Sequence, residues 1–189
     1  MGNPYILRGQ VLLRAPRSED VAARVALANH PEIVRMFGGD TSRPLPPLDL
    51  AAATRWLARL CAHPHAWVVE HEGGLIGEVR LDSMNETDQR ARLAIGIFDH
   101  GKLGRGIGQE VIRLVLRHAF DDLRLHRVDL RVLAYNVRGI RCYKRCGFVE
   151  EGRERESALV DGERHDDVIM GILAQDYRAL TSGSPSSVA

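Results

Sequence analysis

Leu103-Gly104-Arg105-Gly106-Ile107-Gly108-Gln109-Glu110 places three glycines at alternate positions between two apolar segments. Leu93 to Phe98, before it, reads as a strand; Val111 to Phe120, after it, carries apolar residues at helical spacing. The order is strand, glycine loop, helix. Glycine lets a loop take backbone angles that a side chain forbids, and lets a ligand press against the main chain. The first turn of a helix has unpaired N–H groups and a partial positive charge. A phosphate or pyrophosphate is the natural partner of such a site, so a phosphorylated ligand is expected here.

On the N-terminal side of the loop, Gln10 to Arg14 reads as a first strand. Ser18 is placed to cap a helix running to about Asn29, with Glu19 and Asp20 in its first turn and Pro31 limiting its end. Phe37 to Leu48, with Gly38, Gly39, Pro44, Pro46 and Pro47, is a loop. Asp49 can cap a second helix through about Cys61. Ala66 to Glu70 and Leu75 to Leu81, joined through Glu72-Gly73-Gly74, carry a hairpin signal. Met84 to Arg90 is polar and expected to turn, so residues 66–98 form an antiparallel meander.

On the C-terminal side, Arg127 to Leu133 is a strand and Gly139 to Cys146 a short helix ended by Gly147. Val149 to Leu159 and Asp167 to Leu173 are two strands joined by an Asp161-Gly162 turn. Thr181 to Ala189 is a Ser/Gly/Pro tail expected to be disordered, leaving residues 1–180 as a single domain. The fold class is α+β: a mixed, mostly antiparallel central sheet with helices on both faces.

A chain of 189 residues has room for one well-buried core. A formal net charge of +1 gives no electrostatic case for nucleic acid as the main partner. The apolar runs are too short to span a bilayer, and Met1 to Arg8 has no apolar core of signal-peptide length, which predicts a cytoplasmic protein with no membrane partner. Cys61, Cys142 and Cys146 are too few for a disulfide framework; Cys142 and Cys146 share a helix face, but no second Cys or His pair completes a metal site, and no metal is expected.

A glycine loop alone does not name a family. A dinucleotide-binding unit would begin with strand, helix, strand, and a P-loop would continue into Gly-Lys-Ser/Thr; neither pattern is present. The order of elements instead resembles the GNAT N-acetyltransferase superfamily, and within it the RimJ/RimL-like branch. Four segments carry the resemblance: Val11-Leu12-Leu13-Arg14-Ala15-Pro16, the loop Leu103 to Glu110, Asn136 to Phe148 with its Asn, Tyr and closing Gly-Phe, and Asp161 to Val168. They span residues 10 to about 175. Two departures stand out. Leu103 occupies a position where the family commonly has Gln or Arg, and Ala158 stands where a RimL-like pattern places a carboxylate.

The resemblance implies direct acetyl transfer from acetyl-CoA to a primary amine. The donor would be anchored by Leu103, Gly104, Arg105, Gly106, Ile107, Gly108 and Gln109, with Arg105 near a phosphate. Its pantetheine arm would lie along Ile97 and Phe98. Tyr143 is the expected general acid: a phenol with an ordinary pKa near 10 is protonated at neutral pH and can donate to a departing thiolate. It could also be a packing aromatic beside Phe148. Asn136 is expected to bond the pantetheine or hold the splayed strands apart, unless it only ends a strand in a turn. Glu78 is the first choice of general base, with an ion pair to Arg80 as the other reading; Glu154 and Glu156 come second. His100 and His126 read as surface residues. Asp166 and Asp167 are structural or attract a cationic amine.

The acceptor pocket is expected between the Phe37 to Leu48 loop, the second helix and the last hairpin, with Asp40, Asp49, Trp56 and Asp82 as lining groups. The acceptor would be a protein N-terminus or a small amine such as a polyamine or an aminoglycoside. The competing class is a non-catalytic CoA-binding regulatory module of the same fold. A homodimer is a family-level expectation.

Overall fold

The computed structural model describes residues 6–182; of the expected tail, Thr181 and Ser182 close a helix and the remainder lies outside the described residues. An eight-stranded sheet organises the chain: β1 (Ile6–Arg8), β2 (Val11–Arg14), β3 (Ala66–His71), β4 (Gly74–Asn85), β5 (Arg90–Ile97), β6 (Arg127–Leu133), β7 (Val149–Val160) and β8 (Glu163–Leu173). Their spatial order is β1-β2-β3-β4-β5-β6-β8-β7, and every pairing is antiparallel except β5 with β6.

Period-two alternation along β3 explains the layers. Trp67 and Val69 join the main core with the buried stripe of α4 (Ile107–Arg117), which includes Val111, Leu114 and Val115. Ala66 and Val68 face the other way, into a smaller core with Trp56 and Leu60 of α3 (Leu50–Ala62) and Ala23 of α1 (Asp20–Ala26). The sheet is therefore covered on both faces, as expected.

Several local expectations are corrected. Ser18 does not cap α1. The buried Asp20 carboxylate takes the Arg17 N–H at 2.7 Å and the Arg14 guanidinium at 2.7 and 2.9 Å, leaving Ser18 on Glu19. Helix α1 also stops at Ala26, short of Asn29, and Ala28 has a positive φ of 54°. Pro31 starts a helix, α2 (Pro31–Met36), instead of ending α1; it lacks an N–H to leave unpaired, so it sits without cost in a first turn. Met84 to Arg90 is not all turn, because β4 runs to Asn85 past a bulge. Strand β1 and helix α6 (Ala174–Ser182) were not expected. The helix after the glycine loop continues beyond α4 as a single π turn, His118–Asp122.

Two features of the sheet create the site. The parallel β5–β6 pairing covers only Arg90–Arg92 against Arg127–Asp129, so the two strands part beyond Arg92. The register also shifts between Val69 and Glu70 where β3 meets β4, which sets Glu78 opposite Val68 and Arg80 opposite Ala66. Both therefore lie on the α3 face of the sheet.

Candidate active site

The loop from Leu103 leads into α4 through Gly106, which is left-handed (φ +83°) at the helix N-cap. The backbone N–H groups of Gly104 to Gly108 have no acceptor among the described residues; the next two, of Gln109 and Glu110, bond the Gly106 carbonyl. Successive free N–H groups at a helix N-terminus form a concave anion site. This array, more than the bare run of glycines, fits a pyrophosphate.

A groove of about 400 Å³ runs from this loop between β5 and α5 (Val137–Arg145). Lys102, Arg138, Arg141 and Arg145 line it. These cations went unassigned in the sequence reading. The three arginines recur at helical spacing on one face of α5, a pattern that could have flagged them. Arg105 is exposed and is not part of the lining. Leu103 contributes an apolar wall.

On the other side of β5 lies a larger cavity of about 740 Å³, lined from α1, α3, β4, β5 and β6. The two residues expected on the pantetheine path, at the end of β5 and just past it, fall in different spaces. Ile97 lines the groove, whereas Phe98 lines the cavity, packs edge-on to Trp56 and gives its N–H to the Ile76 carbonyl at 2.7 Å. Met36, Phe37, Ile95, Asn136 and Tyr143 line both spaces, so groove and cavity meet at these five residues.

Tyr143, on α5, has no hydrogen-bond partner for its hydroxyl among the described residues. Its ring packs edge-on against Phe148, at 5.9 Å between centroids. Burial of the side chain pushes the phenol well above its ordinary value of 10.0, with the Cys142 and Cys146 thiols adding to the rise. Part of the residue stays accessible through the groove. Asn136 caps α5 by accepting the Gly139 N–H at 2.9 Å, which leaves its amide N–H₂ group to the junction.

Glu78 is 9 % exposed and lines the cavity. One carboxylate oxygen accepts from the Trp56 indole and the other from Arg80. The expected ion pair is thus present, and it leaves each oxygen one lone pair for a further contact. Glu154 and Glu156 do not reach the cavity; Glu154 pairs with Arg131 at 2.7 Å. Asp166 accepts the Glu156 N–H and Asp167 bonds Ser157, though Asp167 also lines the cavity.

Of the expected lining groups only Trp56 is there. Asp40 is turned to Ser42, Asp49 caps α3, and Asp82 holds Arg80 and His63. His126 is exposed. His100 stacks on His30 at 3.7 Å and bonds Glu32 at 2.8 Å. His30, Glu32 and His100 form the one grouping with metal-ligand spacing among the described residues. Arg138 also holds Glu32 at 2.5 Å, placing a positive charge where a cation would bind. Cys142 lines the groove and Cys146 is buried.

The acetyltransferase (GNAT) domain model matches residues 10–149, and the chain belongs to that family. It is similar to the spermidine N(1)-acetyltransferase of Vibrio cholerae, 33% identical over 110 residues that cover 58% of this chain and 63% of the relative. It is also similar to the aminoglycoside N(6')-acetyltransferase type 1 of Klebsiella pneumoniae, 26% identical with 75% of each covered. The first curated relatives are matched over only 46% to 63% of their length. The crystal structure of the Vibrio cholerae spermidine N-acetyltransferase with CoA and spermine superposes with a TM-score of 0.75 at 27% identity, covering 90% of this chain and 99% of that one.

Proposed function

We propose that the chain is an N-acetyltransferase that moves an acetyl group from acetyl-CoA directly to a primary amine. The observation that carries this reading is the meeting of the cationic groove and the Glu78 cavity at Tyr143. Bound in the groove, acetyl-CoA supplies an activated thioester.

The chain's own groups meet the remaining demands. The Gly104 to Gly108 N–H groups hold phosphate charge together with Arg141 and Arg145, which form no ion pair among the described residues; Lys102 and Arg138, already paired with Glu72 and Glu32, stand beside them. The β5 edge that loses its β6 partner beyond Arg92 offers backbone groups to the pantetheine amides and to the thioester oxygen. Asn136 adds its side-chain amide at the same place. Tyr143 Oη donates a proton to the departing sulfur, and its enclosed phenol stays protonated at working pH. Glu78 takes the amine proton through a water on its free lone pairs. No metal is used.

Membership of the RimJ/RimL-like branch belongs to the same proposal. It is supported by the segments quoted above and by likeness to the putative ribosomal N-acetyltransferase YdaF of Bacillus subtilis, 28% identical over 107 residues. No helix among the described residues is long and apolar enough to cross a membrane, which is consistent with a cytoplasmic enzyme; a homodimer completes the proposal.

The test is thiol release from acetyl-CoA across amine classes, with mass spectrometry of the acetylated product. Amine-dependent release that collapses in Tyr143→Phe supports the enzyme. Tight acetyl-CoA binding with no product from any amine points to the CoA-binding regulatory module instead.

A further inference from the structure

The charge lining the acceptor cavity does not match a polycation. Five arginines (Arg24, Arg59, Arg80, Arg92 and Arg131) face two carboxylates, Glu78 and Asp167. Three of the five are neutralised locally: Arg80 by Glu78 and Asp82, Arg92 by Asp129 at 2.8 Å, and Arg131 by Glu154 at 2.7 Å. The other two are not. Arg24 of α1 and Arg59 of α3 have no carboxylate within ion-pair distance among the described residues, and Arg59 makes no hydrogen bond there either. Helices α1 and α3 pack together, so the unneutralised cations share one wall of the cavity.

Arg24 is held in place. Its guanidinium lies 4.2 Å over the Phe98 ring and donates to the Ala28 carbonyl at 3.0 Å. Burial holds it below the ordinary arginine range, with the Glu78 charge opposing that drop. A half-buried, unpaired guanidinium gains from an anion. Arg24 lies over Phe98, Phe98 packs edge-on to Trp56, and Trp56 donates to Glu78, so a positive amine beside Glu78 and a negative group beside Arg24 lie within the reach of one small molecule. Phe37, Leu48, Trp56 and Phe98 supply apolar wall between the charged groups.

We propose that the acceptor is a small zwitterion, an α-amino acid with an apolar side chain. Its carboxylate rests on Arg24 and Arg59, and its amine points to Glu78 and Tyr143. This rests on the N-acetyltransferase reading and narrows it. A polyamine would meet repulsion from the same wall, and the first residue of a protein, its carboxyl held in a peptide bond, brings no α-carboxylate to it.

Matched acceptors test it: L-phenylalanine against L-phenylalaninamide and 2-phenylethylamine, L-methionine against 3-(methylthio)propylamine, and spermidine, all with acetyl-CoA. The free acids should show kcat/KM at least tenfold above their carboxylate-free partners and above spermidine. In Arg24→Gln/Arg59→Gln the ratio of acid to amide should fall towards one, while retained acetyl-CoA affinity reports that the variant is folded. Equal or better use of the amide, the amines or spermidine by the unmodified protein overturns the zwitterion and leaves the N-acetyltransferase reading standing. Acetyl-CoA binding with no product from any amine overturns both.

Discussion

The Asp161 carboxylate, at the tip of the β7–β8 hairpin, accepts the backbone N–H of Thr41 at 2.5 Å across 120 residues of sequence. The same carboxylate takes the Thr41 hydroxyl and the Arg35 guanidinium, and Arg35 in turn lies 4.4 Å over the Tyr135 ring. The hairpin thus fastens the loop that carries Phe37 and Leu48 to the cavity wall. The Thr41 N–H is the main reason that the Asp161 carboxyl sits below the ordinary 3.8. A carboxylate lowered in the folded state contributes in full above its unfolded value and loses that contribution as pH falls through the lower folded one. The stabilising contribution of this carboxylate is therefore present throughout the neutral range and is lost only in acid, below the ordinary 3.8.

Asp161→Asn isolates the charge, because Asn tolerates the same left-handed turn (φ 51°). We expect KM for the acceptor to rise severalfold with the acetyl-CoA affinity unchanged. Steady-state kinetics beside a direct binding measurement checks this.

Tyr143→Phe removes the proposed acid and keeps the ring against Phe148. We expect kcat to fall by about 100-fold, the lower end for a lost proton-transfer group, with little change in KM for acetyl-CoA. Burial raises the phenol, so its acid form persists above the ordinary 10.0. The kcat–pH profile of the unmodified enzyme should accordingly show no alkaline decline up to pH 10. A decline centred below that value would remove Tyr143 from the role.

Arg14 bridges Asp20 at 2.7 Å and Glu70 at 2.6 Å, and both Arg14 and Asp20 are buried. Arg14→Met strands the Asp20 carboxylate, which costs about 3–5 kcal/mol for a broken buried pair. Denaturant unfolding should show that loss, and adding Asp20→Asn should recover part of it.

Gly77 marks a crowded crossing of β4 and β5. A Cβ there would stand 2.0 Å from the Gly96 carbonyl oxygen, which is backbone and cannot swing away. Gly77→Ala should destabilise by about 1–3 kcal/mol, as overpacking does, and displace Gly96 at the cavity. Thermal unfolding reads the first effect and acceptor KM the second.

The glycine loop, the meander and the hairpin turn were legible in the sequence because each depends on local chemistry: backbone freedom at glycine, period-two alternation, and an Asp-Gly pair. Pro31 shows where local chemistry divides. It holds His30 extended as the N-cap of α2, whereas α1 has already ended at Ala26 before the left-handed Ala28, so reading Pro31 as a stop hid α2. Tyr143 and Asn136 were found from their segment, and the structure puts both at the junction.

The place of the cavity was legible, since the Phe37 to Leu48 loop, α3 and the last hairpin all line it, but its charge was not. Its arginines come from α1, α3, β4, β5 and β6, and only the parting of β5 from β6 and the register shift opposite Val69 bring them together. The acids expected there are spent on caps and neighbours, as Asp49 and Asp82 are, which spacing along the chain cannot reveal.

The most direct measurement is a calorimetric titration of acetyl-CoA into the protein and into Gly106→Val, with dephospho-CoA and ATP as controls. Gly106 holds φ +83° with nothing within 4 Å of a new Cβ, so a β-branched residue disturbs the loop conformation without a clash elsewhere. We expect saturable binding of acetyl-CoA that is lost in a folded Gly106→Val. Absence of binding to the folded protein, or binding that survives the substitution unchanged, would contradict the glycine-loop site and the acetyl transfer built on it.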